Sequence, residues 1–600
     1  MMQNFRRKII LCFLLCAIAF LAIIVRVFYI ASPGTLNLPQ WRSQNKPAIR
    51  GSILDRNGSP LALTIPSQSV FARPERFHPQ DAEIDFLSEC LGIDKNELAQ
   101  RVKRGTKNFA WLSRQIAPDV GAQIREAKIA GVETVPEPTR VYPYGELAGQ
   151  LLGFCGVDHT GLSGLERSLD ARLLPPKGGT EGIRNIVLTI DRYMQYIAED
   201  ELAIVAEESG AKHAVCLIMQ PQTGEMLTIA SWPSFDPNNF DRYSQERYLI
   251  PAVSNIYEPG STFKIFSPAW LIENQRVRQD EYFLCTGRIG LHAHTVECIL
   301  VHGSLRLQDI LAQSCNVGMI KLSARLNADE FHGWLERFGF GLPTGIGLPG
   351  EASGILRSAA NWSGLSRGMV SIGYEISVTP LQLIRAAASL ASEGLLMQPL
   401  LVKAITDHEG RILEASSPAV VRRVMRPATA RTLLAMLRRA VTEGTARTAA
   451  LPDIDVGGKT GTAHIAREDG SGYSPTRYTA SFIGYLPYQQ SNLVILIIIQ
   501  EPKIGEHMGG TLAAPVFRRI ARRTMIYLHE KIPPVIDEES MQICITSEKI
   551  PEAERARARR IIRDTYRYDP ARKHFILLDE LADHQKTELS LILQNIGILN

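Results

Sequence analysis

Residues 255–266, NIYEPGSTFKIF, decide how the rest of the sequence is interpreted. Pro259 and Gly260 end one element, and the apolar run after them predicts the first turn of a buried helix. Ser261 and Lys264 would lie on one face of that helix, because residues three apart on a helix are neighbours. An amine beside a hydroxyl can act as its base, which is how a weak nucleophile is activated. The stretch therefore predicts a nucleophilic serine with Lys264 as its base.

The serine-lysine pair is not specific by itself. About two serine-x-x-lysine pairs are expected by chance in a chain of 600 residues. Taken singly, each residue also fits a capping serine or a surface lysine. Further motifs are therefore needed before the pair can be interpreted as catalytic.

Two later stretches supply such motifs. LAQSCNVG (311–318) places Ser314 and Asn316 in a loop between two predicted helices. GGKTGT (457–462) predicts a strand whose glycines let a ligand approach the backbone closely. This strand carries Lys459, Thr460, Gly461 and Thr462. A lysine-threonine-glycine triplet arises by chance in about one chain in ten, and all three motifs in this order far less often. Their order therefore favours a shared site.

Length, composition and charge set the limits for the whole chain. With 600 residues and 45% hydrophobic content, the chain is long enough for roughly three or four globular domains. The formal net charge is only +4, and no basic cluster is interleaved with aromatic residues. Nucleic acid is therefore excluded as a partner.

The N-terminal segment predicts a membrane anchor. The basic residues of FRRK (5–8) precede an uninterrupted apolar run at 9–25. A helix over 9–31 would span about 34 Å, enough for one crossing, with Arg26 reaching the far interface. A cleaved signal peptide is the alternative, but its apolar core is typically only about 7–15 residues long. The basic residues predict an N-terminus in the cytoplasm and a chain that lies outside the cytoplasm after residue 31.

Alternating element types predict the fold of the central part of the chain. Residues 193–209 have helical periodicity, and two strand-like runs follow around the turn PQTG. Three extended runs separated by polar turns come late, at 455–465, 477–487 and 492–502. The helical stretches that precede these runs end at glycines. This order predicts an α/β (α+β) sandwich in which helices flank an antiparallel sheet.

Composition divides the chain into five segments. A hairpin around the turn RNGS opens a mixed N-terminal region rich in Gly and Pro, and a polar tail with two predicted helices follows KIPPVIDEES. The expected segments are a cytoplasmic tail (1–8), a transmembrane anchor (9–31), a mixed domain (32–190), a larger domain with the three motifs (191–530) and a C-terminal extension (531–600).

In the type and order of its motifs, the chain resembles the penicillin-binding proteins. The resemblance covers roughly residues 45–530. The resemblance to class B members lies in RGSILDRNG (50–58), RVYP (140–143) and GLSGLE (161–166). The resemblance to the division type lies in RYTASFIGYLP (477–487) and GGTLAAPVF (509–517). This resemblance implies a penicillin-binding/β-lactamase-like transpeptidase domain (191–530) on a pedestal or dimerisation-like domain (32–190). It also implies a peptidoglycan D,D-transpeptidase of septal cell-wall synthesis that binds penicillin covalently.

The resemblance also implies roles for the motif residues. Ser261 would attack the carbonyl between the last two D-alanines of a stem peptide, with Lys264 as base. Ser314 would pass the proton to the leaving group, and Asn316 would hold the donor's amide. The backbone N–H groups of Ser261 and Thr462 would form the oxyanion hole. The implied catalytic residues are Ser261, Lys264, Ser314, Asn316 and Lys459, and the implied substrate-binding residues are Thr460, Gly461 and Thr462. No cofactor is implied for catalysis.

A second candidate site lies in CTGRIGLHAHTVECILVHG (285–303). Its side chains and the cysteine beside Ser314 predict a Cys₃His zinc site formed by Cys285, Cys298, His302 and Cys315, with His292 or His294 as alternative ligands. A Cys285–Cys298 disulfide, or free thiols with solvated histidines, are the competing interpretations. Nine cysteines are present, and the seven after residue 31 cannot all pair internally.

Two other function classes remain open. A D,D-carboxypeptidase or β-lactamase-type hydrolase would use the same motifs, with water deacylating Ser261. A non-catalytic divisome scaffold or β-lactam sensor could also retain the motif residues. The partners implied by the resemblance are stem peptides, β-lactams, a membrane glycosyltransferase and other division proteins.

Overall fold

The structure, a computed structural model, describes residues 49–174 and 182–529, apart from 293, 453, 468, 470 and 488–492. It also describes residue 21 and the backbone of three short strands beyond residue 535. The predicted cytoplasmic tail at 1–8 and the predicted anchor at 9–31 lie outside these residues, except for Leu21. Within the described part of the chain, no helix combines the length and the apolar character needed to cross a membrane.

The region before residue 190 consists of short strands and helices. The strands are β1 (Ile53–Leu54), β2 (Pro60–Ile65), β3 (Gln68–Ala72), β4 (Ala110–Ile116), β5 (Val132–Pro136), β6 (Thr139–Val141) and β7 (Asn185–Leu188). The helices are α1 (Asp81–Leu91), α2 (Lys95–Arg104), α3 (Pro118–Glu126), α4 (Gly149–Leu152), α5 (Gly164–Ser168) and α6 (Asp170–Leu173).

The predicted hairpin around RNGS is present. β1 pairs antiparallel with β2, and Ile53 lies opposite Ala62. The Asp55 Oδ1 atom accepts hydrogen bonds from the backbone N–H groups of Asn57 (2.9 Å) and Ser59 (2.8 Å). A short acidic side chain that bonds its own backbone two residues on stabilises this kind of turn.

A buried arginine joins the start of this region to α5 and α6. Arg50 Nε donates to Glu166 Oε2 at 2.6 Å, and its Nη1 donates to Asp170 Oδ1 at 2.6 Å. Arg140 Nε donates to the other Glu166 oxygen at 2.7 Å. Burial alone would raise the pKa of Glu166, but Arg140 and Arg50 lower it overall. The glutamate is therefore held as a carboxylate, which is how a buried charge becomes tolerable.

Two sheets organise the N-terminal region. β3 lies between β4 and β5, and the side chains of α1, α2 and α3 pack with this sheet around Val70, Leu87, Leu98, Leu112 and Ile124. The other sheet has the order β16-β15-β7-β1-β2-β6, in which β15 (Val402–Thr406) and β16 (Ile412–Ala415) come from far later in the chain. Strands from both sides of residue 190 are therefore bonded in one sheet.

Residues 190–529 form a larger α/β unit. Its remaining strands are β8 (His213–Met219), β9 (Met226–Trp232), β10 (Tyr282–Cys285), β11 (Arg288–Leu291), β12 (His294–Glu297), β13 (Gly303–Arg306), β14 (Leu395–Met397), β17 (Val420–Arg423), β18 (Gly457–Ala466), β19 (Tyr473–Leu486) and β20 (Leu493–Gln500). Its helices are α7 (Arg192–Ser209), α8 (Pro251–Ser254), α9 (Phe266–Glu273), α10 (Leu307–Ala312), α11 (Asn316–Ser323), α12 (Ala328–Arg337), α13 (Ser366–Ser371), α14 (Pro380–Ala391), α15 (Pro427–Thr442) and α16 (Ala514–His529).

The predicted antiparallel sheet flanked by helices is confirmed. Its strand order is β18-β19-β20-β8-β9, and every neighbouring pair is antiparallel. Successive side chains of a strand point to opposite faces. Val494, Leu496 and Ile498 of β20 accordingly join a core that includes α14, whereas Ile495, Ile497 and Ile499 join a second core with α7 and α16. Helices on both faces explain why this strand is apolar throughout.

The C-terminal extension differs from expectation where it is described. Three short strands, β21 (Ile536–Asp537), β22 (Tyr566–Asp569) and β23 (His574–Leu577), form a sheet in the order β21-β23-β22. The predicted basic helix at 552–566 and the amphipathic helix ending at 595 lie outside the described residues, except for Tyr566.

Candidate active site

Ser261 lies on a tight turn that leads directly into a buried helix. Residues Gly260–Ile265 form a 3-10 helix, rather than the predicted first α-helical turn, and α9 follows without a break. Gly260 has φ +54°, and a Cβ there would lie 2.9 Å from Ala463 Cβ. Only glycine tolerates this conformation and this close approach easily. The turn therefore holds the partly exposed Ser261 against β18.

Lys264 is fully buried behind this turn. Its Nζ donates to Ser314 O at 2.7 Å, to Ser314 Oγ at 3.4 Å and to Asn316 Oδ1. No described hydrogen bond joins it to the Ser261 hydroxyl, so the expected amine–hydroxyl contact is not made in this state. Burial lowers the pKa of Lys264 to about 8, although Cys315 and Cys298 act in the opposite direction.

Ser314 lies at the centre of the polar groups. It follows α10 with φ +55°, a backbone conformation that is uncommon for a residue with a side chain. Its Oγ accepts from Lys459 Nζ at 2.9 Å as well as from Lys264. Asn316 begins α11, and its Nδ2 donates to Glu297 O at 2.8 Å. The loop predicted from SCN is thus a single tight turn between two helices.

Lys459 is the second buried amine, on β18. Besides Ser314, it donates to Thr460 O at 2.9 Å. Burial and the nearby Lys264 amine both lower the pKa of Lys459 well below its usual value. Neither lysine forms an ion pair with a described carboxylate, so no described carboxylate compensates for two full charges. The site therefore favours the loss of a proton from one of the amines.

Gly461 has a packing role in the structure. A Cβ at this position would meet Ser481 Oγ and would lie 2.8 Å from Thr262 Cγ2. Glycine here therefore lets β18 pack against the turn that carries Ser261. Thr462 Oγ1 accepts from the Gly509 N–H at 3.0 Å, which leaves its hydroxyl proton available to donate.

One cleft of about 810 Å³ joins these groups. Five of the predicted catalytic and substrate-binding residues line it: Ser261, Ser314, Asn316, Thr460 and Thr462. Lys264 and Lys459 lie behind the lining residues, and both donate a hydrogen bond to the Ser314 hydroxyl, which lines the cleft. The structure therefore brings all three sequence motifs together.

Several cleft residues were not found from the sequence. Besides the predicted residues, the cleft is lined by Tyr374, Thr445, Arg447, Thr448, His464, Tyr478 and His507, among others. Thr445 Oγ1 lies 2.8 Å from Thr460 Oγ1, and the Thr445 N–H donates to Ala312 O at 3.0 Å. A Cβ at Gly444 would meet that same carbonyl. The end of α15 thus contacts both the Ser314 turn and β18, and no sequence motif marks such a contact.

The four expected zinc ligands lie together beside the Ser314 turn. The ligand atoms of Cys285, Cys298, His302 and Cys315 are all within 4.8 Å of one another. The alternative ligands His292 and His294 lie in the β11–β12 hairpin and are not part of this cluster of described residues. Cys285 and Cys298 are free thiols in the structure, so the competing disulfide is not formed.

Comparison with known families identifies the family to which the chain belongs. A family model described as Penicillin binding protein transpeptidase domain matches residues 214–522, and one described as Penicillin-binding Protein dimerisation domain matches residues 45–188. The chain therefore belongs to the penicillin-binding protein transpeptidases. This result confirms the resemblance noted from the motifs.

Individual relatives are similar over most of their length. The probable peptidoglycan D,D-transpeptidase PenA of Neisseria meningitidis is 31% identical over 513 residues, which cover 80% of this chain and 84% of the relative. The peptidoglycan D,D-transpeptidase FtsI of Escherichia coli K12 is 30% identical over 537 residues, covering 84% and 89%. The crystal structure of penicillin binding protein 3 from Mycobacterium tuberculosis in complex with aztreonam superimposes with a TM-score of 0.65 and 28% identity, covering 82% of this chain and 98% of that chain.

Proposed function

We propose that this chain is a class B peptidoglycan D,D-transpeptidase that cross-links stem peptides during septal cell-wall synthesis. The observation that carries the proposal is the convergence of Lys264 and Lys459 on the Ser314 hydroxyl in the cleft that Ser261 lines. Three different motifs supply these groups, since Ser261 and Lys264 share one motif, and Ser314 and Lys459 each come from another. The curated relatives named as D,D-transpeptidases support the same activity.

Acylation begins with attack by Ser261 on the carbonyl between the last two D-alanines. Neutral Lys264 takes the proton of the hydroxyl, because a deprotonated amine has a lone pair to accept it. The new bond joins Ser261 Oγ to the carbonyl carbon, and the backbone N–H groups of Ser261 and Thr462 stabilise the oxyanion. When the peptide bond breaks, Ser314 passes a proton to the leaving D-alanine amine.

The other motif residues hold the substrate. The hydroxyls of Thr460 and Thr462, with Lys459 behind them, bind the terminal carboxylate through charge-assisted hydrogen bonds. Asn316 holds the amide of the donor peptide. An amine of a neighbouring stem peptide then attacks the acyl-enzyme, which releases Ser261 and completes the cross-link. This outcome requires that the amine reaches the ester before water does.

Covalent labelling tests the nucleophile. Wild-type chain should bind fluorescent penicillin in about a one-to-one ratio, as a serine acyl-enzyme requires. Ser261→Ala should bind none, and mass mapping should place the adduct on the peptide that contains Ser261. Absence of labelling in wild type would overturn the enzymatic function.

Product analysis separates cross-linking from the alternative functions. Dimeric muropeptides formed by wild type support a transpeptidase. Release of D-alanine without dimers would instead indicate a carboxypeptidase or β-lactamase-type hydrolase. Equal rescue of cell division by Ser261→Ala and wild type would indicate a scaffold or sensor.

The proposed location is the bacterial inner membrane. The anchor expected at 9–31 would cross it once, with residues 1–8 in the cytoplasm and the cleft outside. A membrane glycosyltransferase and other division proteins are the proposed partners, contacted through the anchor and the pedestal. The reaction itself needs no cofactor, so zinc held by Cys285, Cys298, His302 and Cys315 would be structural.

A further inference from the structure

Four side chains bring their ligand atoms to one point beside the Ser314 turn. Cys285 Sγ lies 3.8 Å from Cys298 Sγ and 3.4 Å from His302 Nδ1, and Cys298 Sγ lies 3.6 Å from Cys315 Sγ. Zinc bonds of about 2.3 Å to sulfur and about 2.0 Å to nitrogen, arranged as a tetrahedron, place the ligand atoms roughly 3.5–3.8 Å apart. These three separations match a tetrahedral zinc ion, and all four ligand atoms lie within 4.8 Å of one another.

The surroundings of the cluster also fit a metal. Cys285 and Cys315 are fully buried, whereas Cys298 and His302 are partly exposed and line the cleft. This gives an ion a path of entry from the cleft. The Val317 N–H donates to Cys298 Sγ at 3.4 Å, and the Gly318 N–H donates to Cys315 Sγ at 3.2 Å. Hydrogen bonds of this kind orient and stabilise metal-bound thiolates.

The cluster contacts the catalytic turn directly. Cys315 stands between Ser314 and Asn316 in the chain, and the Asn316 amide donates to Glu297 O, next to Cys298. Ser314 keeps a left-handed backbone conformation that persists only when its surroundings impose it. Lys264 and Lys459 both donate hydrogen bonds to this turn, and Cys315 of the cluster is part of it.

We infer that Cys285, Cys298, His302 and Cys315 bind one structural zinc ion, and that this ion holds residues 314–316 in the conformation required for acylation. Four protein ligands leave no open position, which is the arrangement of a structural rather than a catalytic zinc site. Binding displaces the thiol protons into solvent and involves no oxidation. The positioning role rests on the proposed transpeptidase function, whereas the binding of zinc does not.

Metal analysis of the full chain in detergent tests the binding. Wild type purified under reducing conditions, or given zinc alone after chelation, should contain about one zinc per chain. Cobalt in place of zinc should give the absorption of tetrahedral thiolate-bound Co²⁺, a result that does not depend on any variant folding. Metal-free chain that takes up neither ion would overturn the inference, as would a mass-mapped Cys285–Cys298 disulfide in the native protein.

A pair of variants locates the metal. The double variant Cys298→Ser, His302→Ala should contain less than a tenth of the wild-type zinc. Cys90→Ser, which changes a partly buried cysteine outside the cluster, should keep all of it. Zinc retained by the double variant would place the ion elsewhere and overturn the assignment.

The effect on the active site is measured on one preparation. Removal of zinc from wild type should slow labelling by fluorescent penicillin about tenfold or more, and zinc alone should restore the rate. Labelling is measured well below the melting temperature of the zinc-free form, so that loss of folded protein does not contribute. An unchanged rate without zinc would overturn the positioning role. Zinc binding without any labelling of the zinc-loaded chain would instead count against the proposed transpeptidase.

Discussion

Lys459 Nζ lies 2.9 Å from Ser314 Oγ, although the two residues are 145 positions apart in the chain. Lys264 Nζ, which belongs to the serine-x-x-lysine motif, lies 3.4 Å from the same hydroxyl. A full charge on both of two buried amines beside one hydroxyl is unfavourable, because neither amine has a carboxylate partner among the described residues and each repels the other. This relationship makes Ser314 the point through which a proton can pass between the motifs.

Lys459→Met should slow acylation by penicillin about 10²–10³-fold, because the cleft loses a fixed donor beside the substrate carboxylate and Ser314. The second-order rate of labelling measures the effect. Lys403→Met removes an exposed lysine of β15 and should label at the wild-type rate. Equal labelling of the two variants would show that Lys459 has no part in the reaction.

The rate of acylation should rise with pH and level off above about pH 8. Lys264 Nζ donates to three oxygen atoms, which matches the three donors of a protonated amine. A base must first lose that proton, and burial places the pKa of Lys264 at about 8. Below this value the rate should therefore fall about tenfold for each pH unit.

Labelling rates between about pH 6 and pH 9 test this dependence. The melting temperature, followed over the same range, controls for unfolding. A rate that is independent of pH would exclude Lys264 as the base.

Gly461→Ala should destabilise the chain by about 1–3 kcal/mol, as overpacking of a dense core does. The added methyl group would press on Ser481 and on Thr262, the residue after the nucleophile. Labelling should therefore slow as well. Gly333→Ala is the matched control, since a Cβ on that helical glycine meets nothing within 4 Å. A stable Gly461→Ala variant with a normal labelling rate would contradict the packing role assigned to Gly461.

Glu166→Gln should lower the free energy of unfolding of the N-terminal region by about 3–5 kcal/mol, because it leaves the buried Arg140 without its carboxylate partner and Arg50 with Asp170 alone. Hydrogen exchange of β1, β2 and α5 measures the loss. Glu97→Gln, which breaks the exposed i,i+4 pair with Arg101, should change little. Similar exchange in both variants would show that the buried charges do not stabilise this region.

Local patterns were sufficient to predict many elements of the fold. The helical period over 193–209 predicted α7, and the extended runs late in the chain predicted β18, β19 and β20. These predictions succeeded because the period of buried side chains is a property of each segment. The three motifs were recognisable because the proposed chemistry restricts the residue types at their positions. They contain Ser261 and Lys264, Ser314 and Asn316, and the triplet 459–461.

Contacts between segments that lie far apart in the chain could not be predicted from local patterns. Thr445 enters the cleft because the end of α15 packs on β18, and β15 joins the N-terminal sheet from beyond residue 400. Lys264 points to Ser314 and Asn316 rather than to the nearby Ser261, because those acceptors meet it in the folded interior. Each of these outcomes depends on which surfaces fit together in three dimensions.

By itself, the sequence determined the element types, the order of the motifs and the residues able to carry the chemistry, since periodicity and side-chain identity are local properties. Only the tertiary structure decided the partners of the two lysines, the packing role of Gly461 and the meeting of three cysteines and a histidine at one point. Those features arise from close packing and burial, which join residues far apart in the chain and change the protonation and the freedom of every group they enclose.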